Sequence, residues 1–576
     1  MLLFGLHCHQ PVDNFGWVVD KAVEDCYSPL INKLYNYPNF KFSMHFSGWL
    51  LEYIRKNFTH IFDMLKKMAK RGQIEFFSGG FYEPILEAIP SDDRKSQIKR
   101  MNNYIRKHFA QTPKGLWLTE RVYSDEIVKD IVESGMEYTT IDDIFTKEFS
   151  YTEVGGHTLK LLPINKILRY SIPFKDADSV ELLINSRDVN ILFDDCEKFG
   201  VWPGTKEWVY DKKWIDKFLS KDIKTVLPRE FVKNNTPIKV SLPNHSYQEM
   251  EEWSLDVNDY EKYKEIKGKL KDEESDLIER FVRGGVWKNF LNRYFEANWI
   301  QKRVWYLSKN KISHRRYLDY LFKSQCNDVL WHGVFGGLYL PNLRDNAYKY
   351  IIQCENMLEN KGLEKYDIDM DFNEEFKYKG ENYIAIFNSQ GEMVEFDDTN
   401  NLFNFQNTLR RYKERYHTQS KEKNDFDTIH NKSFDFSQYP VKFDNYFNFS
   451  FITERDNFDV LHRKNKVTFT GTKLKKTYIF RKDKVAFIID GTNNLRFNFH
   501  FAENHTVNIE DNMLKIYDDY TKSTIIVSFN KKFTLEQEDI ITYSLKESGL
   551  DKIKQGVLFM FQFDDDSAIE GYLCLK

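Results

Sequence analysis

The first half of the chain alternates short apolar runs with amphipathic stretches. Leu2–Leu6, Phe40–Met44, Gln73–Phe77, Gly115–Leu118, Glu137–Ile141, Val189–Phe193, Ile223–Leu227 and Ile238–Leu242 are short and apolar or β-branched. That is the pattern of strands buried on both faces of a parallel sheet. Between them, His60–Arg71, Asp93–Phe109 and Ser124–Gly135 carry a helical period. In the last of these Ser124 stands at the N-cap, Ile127/Ile131 and Val128/Val132 stack one turn apart, and Gly135 ends the run. Strand–helix alternation of this length predicts a parallel α/β sheet, and seven or eight strands predict a closed barrel.

The pattern then changes twice. Lys267–Val282, Glu296–Leu307 and Arg315–Gln325 are charged and helix-periodic. From about residue 371 the chain turns β-rich, with Tyr383–Phe387, Lys466–Thr470, Lys475–Arg481, Val485–Ile489, Leu495–Phe501, Thr524–Phe529 and Val557–Phe561 separated by turn residues. Three regions are expected: a barrel over 1–265, a helical region over 266–370 that completes a cleft, and an antiparallel β-sandwich over 371–576. His417–Asp427 has no hydrophobic period and is read as a loop.

Composition supports the division. Aromatic residues make up 16% of the chain, yet no tryptophan follows Trp331. A formal net charge of −4 leaves no basic excess for neutralising phosphates, so a nucleic-acid partner is not expected. Six cysteines in 576 residues form no CxxC pair and no disulfide framework, which suits reduced thiols. The N-terminal apolar run stops at His7 without a basic region before it, and nothing downstream reaches the length of a membrane span. These features predict a soluble, cytoplasmic protein without a membrane partner.

Polar residues gather just after the candidate strands. His7 and His9 follow the first and His45 the second. Glu75 lies in the third, with Gly79, Gly80 and Glu83 beyond it. Glu120 follows the fourth, Asp142 and Asp143 the fifth, and Asp194, Asp195 and Glu197 the sixth. The C-terminal strand ends of an α/β barrel form its active-site face, so these groups are expected around one cleft. Trp117, Trp202 and Trp331 travel with them. Carboxylate pairs with indole platforms suit sugar chemistry, because indoles stack on the apolar faces of pyranose rings while carboxylates bind hydroxyls. Cleavage with retention needs two carboxyl groups about 5–5.5 Å apart.

Plainer readings stay open for each group. His7 and His9 could bind a metal or serve a core hydrogen bond. Glu75 could pair with a buried arginine, and Asp142-Asp143 could cap the next segment. Asp194, Asp195 and Glu197 could be solvated on a loop, each tryptophan could be core, and Cys196 could be a nucleophile.

The same segments resemble glycoside hydrolase family 57, and its 4-α-glucanotransferases and related α-amylases in particular. The resemblance runs through His7-Cys8-His9-Gln10-Pro11 with Asn14-Phe15-Gly16-Trp17, through Gly72-Gln73-Ile74-Glu75 with Gly80-Phe81-Tyr82-Glu83-Pro84, and through Trp117-Leu118-Thr119-Glu120-Arg121-Val122. It continues in Asp194-Asp195-Cys196-Glu197-Lys198-Phe199-Gly200 with Val201-Trp202-Pro203-Gly204-Thr205. It extends to Tyr247, Glu249-Met250 and Glu252-Trp253, and to Phe281-Val282-Arg283-Gly284-Gly285. It ends with Gln325-Cys326-Asn327-Asp328 and Trp331-His332-Gly333-Val334-Phe335-Gly336-Gly337. The resemblance covers roughly residues 5–345 and is weaker after about 415. Cys196 departs from the glycine that many relatives carry.

The resemblance implies a catalytic (β/α)7 barrel, a helical region and a C-terminal β-sandwich. It implies Glu120 as nucleophile and Asp195 as acid/base. It further implies substrate contacts from His7, His9, Glu75, Trp117, Glu197, Trp202, Asp328, Trp331 and His332, with no metal and no organic cofactor. The expected activity is transfer between α-1,4-glucans, with an α-glucan and an acceptor sugar as partners; hydrolysis by an α-amylase is the alternative. The subgroup resemblance leaves room for a homodimer. A metal-dependent hydrolase built on His7 and His9 and a non-catalytic glycan-binding protein are the rivals from other classes.

Overall fold

The computed structural model describes residues 1–270, 275–333, 336–417, 442–443, 449–453, 456–546 and 549–576. The N-terminal region holds strands β1 (Leu2–Cys8), β2 (Phe42–Phe46), β3 (Ile74–Phe76), β4 (Gly115–Leu116), β5 (Tyr138–Asp142), β6 (Ser150–Val154), β7 (His157–Ile164) and β8 (Asn190–Asp195). One parallel ribbon runs β3-β2-β1-β8, and a second runs β4-β5-β7. A bridge between Ser78 and Leu116 joins the ribbons on one side. On the other, Asn165 N–H donates to the Ile191 carbonyl at 2.7 Å. The ring β1-β2-β3-β4-β5-β7-β8 closes a seven-stranded barrel, as the resemblance implied.

Two of the eight expected barrel strands are not in the ring. The backbone at Lys224–Val226 only bridges Leu2 at the foot of β1. Ile238–Lys239 pairs with β6 outside the barrel. The seventh stave is instead β7, paired with β6 as a hairpin. Its sequence, His-Thr-Leu-Lys-Leu-Leu-Pro-Ile, mixes polar residues at one end with a proline at the other and does not read as a buried strand. Ser124 does stand at the N-cap of helix Asp125–Glu133, but its side chain makes no capping bond there.

Register stacks the barrel interior in layers. Gly5, Ser43, Glu75 and Phe193 are level with one another, and His7, His45 and Asp195 form the next layer toward the strand ends. Gly5 is required at its place: a Cβ there would sit 2.2 Å from the Phe193 ring that fills the barrel centre.

The helical region carries Gln248–Ser254, Val257–Lys269, Ser275–Phe281, Phe295–Lys309, Arg315–Lys323 and Pro341–Met357. The single helix expected over Lys267–Val282 is broken: one helix ends at Lys269, where Leu270 turns extended, and another begins at Ser275. The first strand of the β region is Leu363–Tyr366, in a five-stranded sheet, followed by an eight-stranded and a three-stranded antiparallel sheet. Their shared core is phenylalanine-rich, with edge-to-face pairs such as Phe451–Phe487 and Phe497–Phe561. That core accounts for an aromatic content without tryptophan. Buried Arg303 fastens the region to the helices, bonding Glu355 at 2.8 Å and Glu395 at 3.0 Å, while Trp299 Nε1–H donates to Glu395 at 2.8 Å. Of the expected loop His417–Asp427, all but His417 lies outside the described residues. No helix among the described residues is long and apolar enough to cross a membrane.

Candidate active site

Glu120 sits just beyond β4 with its backbone in the left-handed region, at φ 51° and ψ 22°, and Arg121 follows at φ 49°. Each such residue costs about 1–3 kcal/mol, a strain that clusters at functional sites. The strain turns the carboxyl toward Tyr247, whose hydroxyl donates to Oε2 at 2.7 Å. Arg121 lies 4.1 Å over the face of the Tyr247 ring and pairs with Asp142 at 3.1 Å. Burial pushes the Glu120 carboxyl up to about 7, and the nearby charge of Asp195 adds to that shift; the Tyr247 bond and Arg121 work against it.

Asp195 ends β8 beside His7, its register partner on β1. A tight turn then aims Glu197 back at the same place. That turn needs Gly200, at φ 155°, because a Cβ there would lie 2.1 Å from the Asp25 carbonyl oxygen. Glu197 accepts from His9 N–H at 3.1 Å and from the Tyr27 hydroxyl. Burial, then the charges of Cys196 and Asp195, push its carboxyl up to about 8. His9 Nε2 meets Asp328 Oδ2 at 3.0 Å. Burial disfavours the charged ring, but Asp328 outweighs burial and raises the imidazole well above its usual range.

Beneath this rim, His7 and His45 share one hydrogen bond between their Nδ1 atoms at 2.8 Å, and the His7 ring stacks on Trp117 with centroids 4.5 Å apart. Glu83 lies 3.8 Å from both rings and accepts from the Thr119 hydroxyl at 2.9 Å. Burial pushes its carboxyl up to about 7. Four buried polar atoms here have no protein partner: His9 Nδ1, His45 Nε2, Glu83 Oε2 and Trp117 Nε1. Buried polar atoms are ordinarily satisfied, so their concentration marks a place where another molecule completes the bonding.

His7, His45 and Glu83 form one group whose donor atoms lie close enough together to hold a metal ion, and His9, Cys326 and Asp328 form another. Burial pushes the His7 and His45 imidazoles well below their usual range. One proton lies between their Nδ1 atoms, so the ring that donates it keeps a lone pair on Nε2, while the ring that accepts it carries its proton there.

The other expected contact residues are held by protein partners. Glu75 lies one layer below the histidines, level with Phe193; the Tyr138 hydroxyl and Arg229 N–H (2.9 Å) take its oxygens. Trp202 stacks on Phe174 with Lys198 5.2 Å from its ring. Trp331 stacks on Trp253 and donates to Asn327 at 2.8 Å. Both nitrogens of His332 face protein atoms, Nε2 the Tyr416 hydroxyl at 2.8 Å and Nδ1 the Gly336 carbonyl at 3.1 Å. Asp194 pairs with Lys198. The Cys196 thiol is buried against Cys26, sulfur to sulfur 4.0 Å, in the core behind the site.

Sequence reasoning missed Tyr27 altogether and gave Tyr247 no role. Tyr27 ends a single π-helical turn, Val23–Tyr27, between two α-helices. Such turns recur at functional sites, but nothing in a helical sequence marks one.

Models of known families match three stretches. Glycosyl hydrolase family 57 matches residues 3–250, and the middle and C-terminal domains of alpha-amylase/4-alpha-glucanotransferase match 285–358 and 367–452. Alpha-amylase 1 of Dictyoglomus thermophilum is 41% identical over 72% of this chain, a match that spans 65% of that relative's own length. The 4-alpha-glucanotransferase of Thermococcus litoralis is 40% identical over 72% of this chain and 66% of its own. An alpha-amylase of Pyrococcus abyssi is 33% identical over 97% and 96%. The crystal structure of the Thermococcus litoralis 4-alpha-glucanotransferase superposes with a TM-score of 0.88 at 31% identity, covering 100% of this chain and 99% of that one. With the family model laid over the barrel and a relative aligned along nearly the whole length, the chain belongs to glycoside hydrolase family 57.

Proposed function

We propose that the chain is a retaining 4-α-glucanotransferase acting on α-1,4-glucans. The observation that carries this reading is the placing of Glu120 just beyond β4 and Asp195 at the end of β8, at the same end of one barrel and beside a cluster of unpartnered buried polar atoms. The names of its relatives divide between transferase and amylase, and hydrolysis by an α-amylase is the second reading.

In the proposed cycle Asp195, protonated, gives its proton to the glycosidic oxygen as Glu120 attacks the anomeric carbon. The bond to the leaving sugar breaks and a β-glycosyl ester forms on Glu120. Asp195, now a base, takes a proton from the 4-hydroxyl of an acceptor sugar, which displaces Glu120. Two inversions retain the α-configuration. His9, held by Asp328, and Glu197, held by Tyr27, supply charged and polar partners for the hydroxyls of the reacting sugar. The unpaired Trp117 indole N–H supplies a further donor. The buried Tyr138 contact argues that Glu75 supports the barrel below the sugar rather than touching it. The six cysteines, all free, suit a reducing cytoplasm.

Incubation with maltoheptaose tests the activity. A ladder of longer and shorter maltooligosaccharides at constant reducing ends is expected. Rising reducing ends with only shorter products would assign the amylase reading instead.

The pH profile tests the nucleophile's setting. Tyr247 donates to the ionised form of Glu120 and so lowers its pKa; Tyr247→Phe removes that support and raises it. The acid limb of kcat/KM, which follows ionisation of Glu120, is expected to move to higher pH in the variant. An unmoved limb would mean that another group sets it.

A further inference from the structure

The chain leaving β1 turns from the catalytic histidines to the surface within a few residues and there presents two aromatic rings to solvent. Phe15 is 52% exposed and Trp17 70%. Their rings stack, with centroids 6.4 Å apart and planes 15° from parallel. Among the described residues no other two exposed aromatic side chains stack on each other. Single exposed hydrophobic residues are ordinary, but a contiguous aromatic face is characteristic of a binding surface.

The face is rigidly carried. Asp13 pairs with Lys349 at 2.8 Å, and Asn346 donates to the carbonyls of Val12 at 3.2 Å and Asp13 at 2.9 Å. Trp17 lies in the first turn of helix Gly16–Ala22, which Tyr53 holds through Asp20 at 2.7 Å. The face is also tied to the sugar site. Tyr27 bonds Glu197 and accepts from Gln10 Nε2 at 3.2 Å; Gln10 Oε1 accepts from Asn14 at 3.4 Å, and Asn14 Oδ1 accepts from Phe15 N–H at 2.9 Å. A continuous hydrogen-bonded path therefore connects Glu197 to the backbone N–H of Phe15.

We propose that Phe15 and Trp17 form an outlying platform for a long α-1,4-glucan, on which the apolar faces of glucosyl units stack beyond those held at Glu120 and Asp195. The proposal rests on the glucan reading of the catalytic site. The platform acts on chain-length preference: short oligosaccharides do not reach it, and long ones gain binding from it.

The test is the pair of variants Phe15→Ala/Trp17→Ala and Trp17→Tyr, assayed on maltotriose and on soluble starch. The double variant is expected to keep the wild-type kcat/KM on maltotriose and to raise KM for starch about 10-fold, the size that loss of two aromatic contacts predicts. Trp17→Tyr, which keeps a ring, is expected to stay close to wild type on starch. In native gels containing starch, the double change placed on a Glu120→Gln background should lose the retardation that Glu120→Gln alone shows. An unchanged KM for starch, or equal losses on both substrates, would overturn the platform while leaving the glucan reading intact. A fall in molar mass by light scattering would also overturn it, assigning the rings to a contact between two copies. A wild-type enzyme that neither binds nor converts any glucan would sink the catalytic reading and the platform with it.

Discussion

Glu120→Gln is expected to abolish turnover, with kcat lowered on the order of 10⁴-fold or more, the size seen when a covalent nucleophile is removed. The amide is nearly isosteric but cannot form the glycosyl ester. It can still accept from the Tyr247 hydroxyl through its carbonyl oxygen, so the packing around position 120 stays intact. Glucan binding should therefore survive while chemistry does not. Thermal stability should hold or rise, and the sign follows from burial. The folded protein holds this carboxyl up to about 7, above its ordinary value near 4.5. The native state then binds protons more tightly than the unfolded chain, and stability is lost as pH rises between those two values. A neutral glutamine removes that loss. Calorimetry beside steady-state kinetics checks both halves. Near-normal turnover in the variant would overturn the assignment of Glu120.

Asp195→Asn is expected to fall as far on natural glucans, but for a different reason, and the difference is measurable. An asparagine cannot protonate the glycosidic oxygen, nor later accept the acceptor's proton. A donor whose leaving group needs no proton, such as an α-maltosyl fluoride, bypasses the first requirement. The variant should then form the intermediate and stall there, and a small added nucleophile such as azide should restart turnover by displacing Glu120 from the β-glycosyl ester and releasing the α-azide. Glu120→Gln should gain nothing from either reagent. A variant at 195 that is not rescued by the activated donor would show that Asp195 is needed before proton transfer, for binding or for shaping the site.

The proposed pair stood out in the sequence because two signals coincide at it. Glu120 and Asp195 each follow an apolar run that forms a barrel strand, and each lies within a motif of the resembling family. Strand order was less legible. β7 carries lysine and proline and gains its burial from neighbours, whereas Ile223–Leu227 and Ile238–Leu242 are more apolar yet lie outside the ring. Apolar character alone does not separate a stave from a segment beside the barrel: Ile238 is exposed, while Leu227 and Leu242 are buried outside the ring. Depth along a stave was not legible either. Glu75 and His45 both belong to barrel strands, but register alone sets Glu75 one layer lower, where Tyr138 claims it. His332 follows a motif tryptophan, yet its ring turns to Tyr416, a partner 84 residues away that no local pattern marks. Tyr27 is the clearest loss. Its hydroxyl bonds Glu197 from the end of a π-helical turn, and no residue pattern in the sequence marks either the turn or the contact.

The most direct test of the central claim is to trap the glycosyl-enzyme. The protein is incubated with a fluorinated α-maltosyl fluoride whose intermediate hydrolyses slowly, then digested and mapped by mass spectrometry. A single glycosyl adduct on the peptide containing Glu120, at its carboxylate, is the predicted result. An adduct on Glu83, Asp195 or Glu197 instead, or no adduct together with products of inverted configuration, would contradict the account.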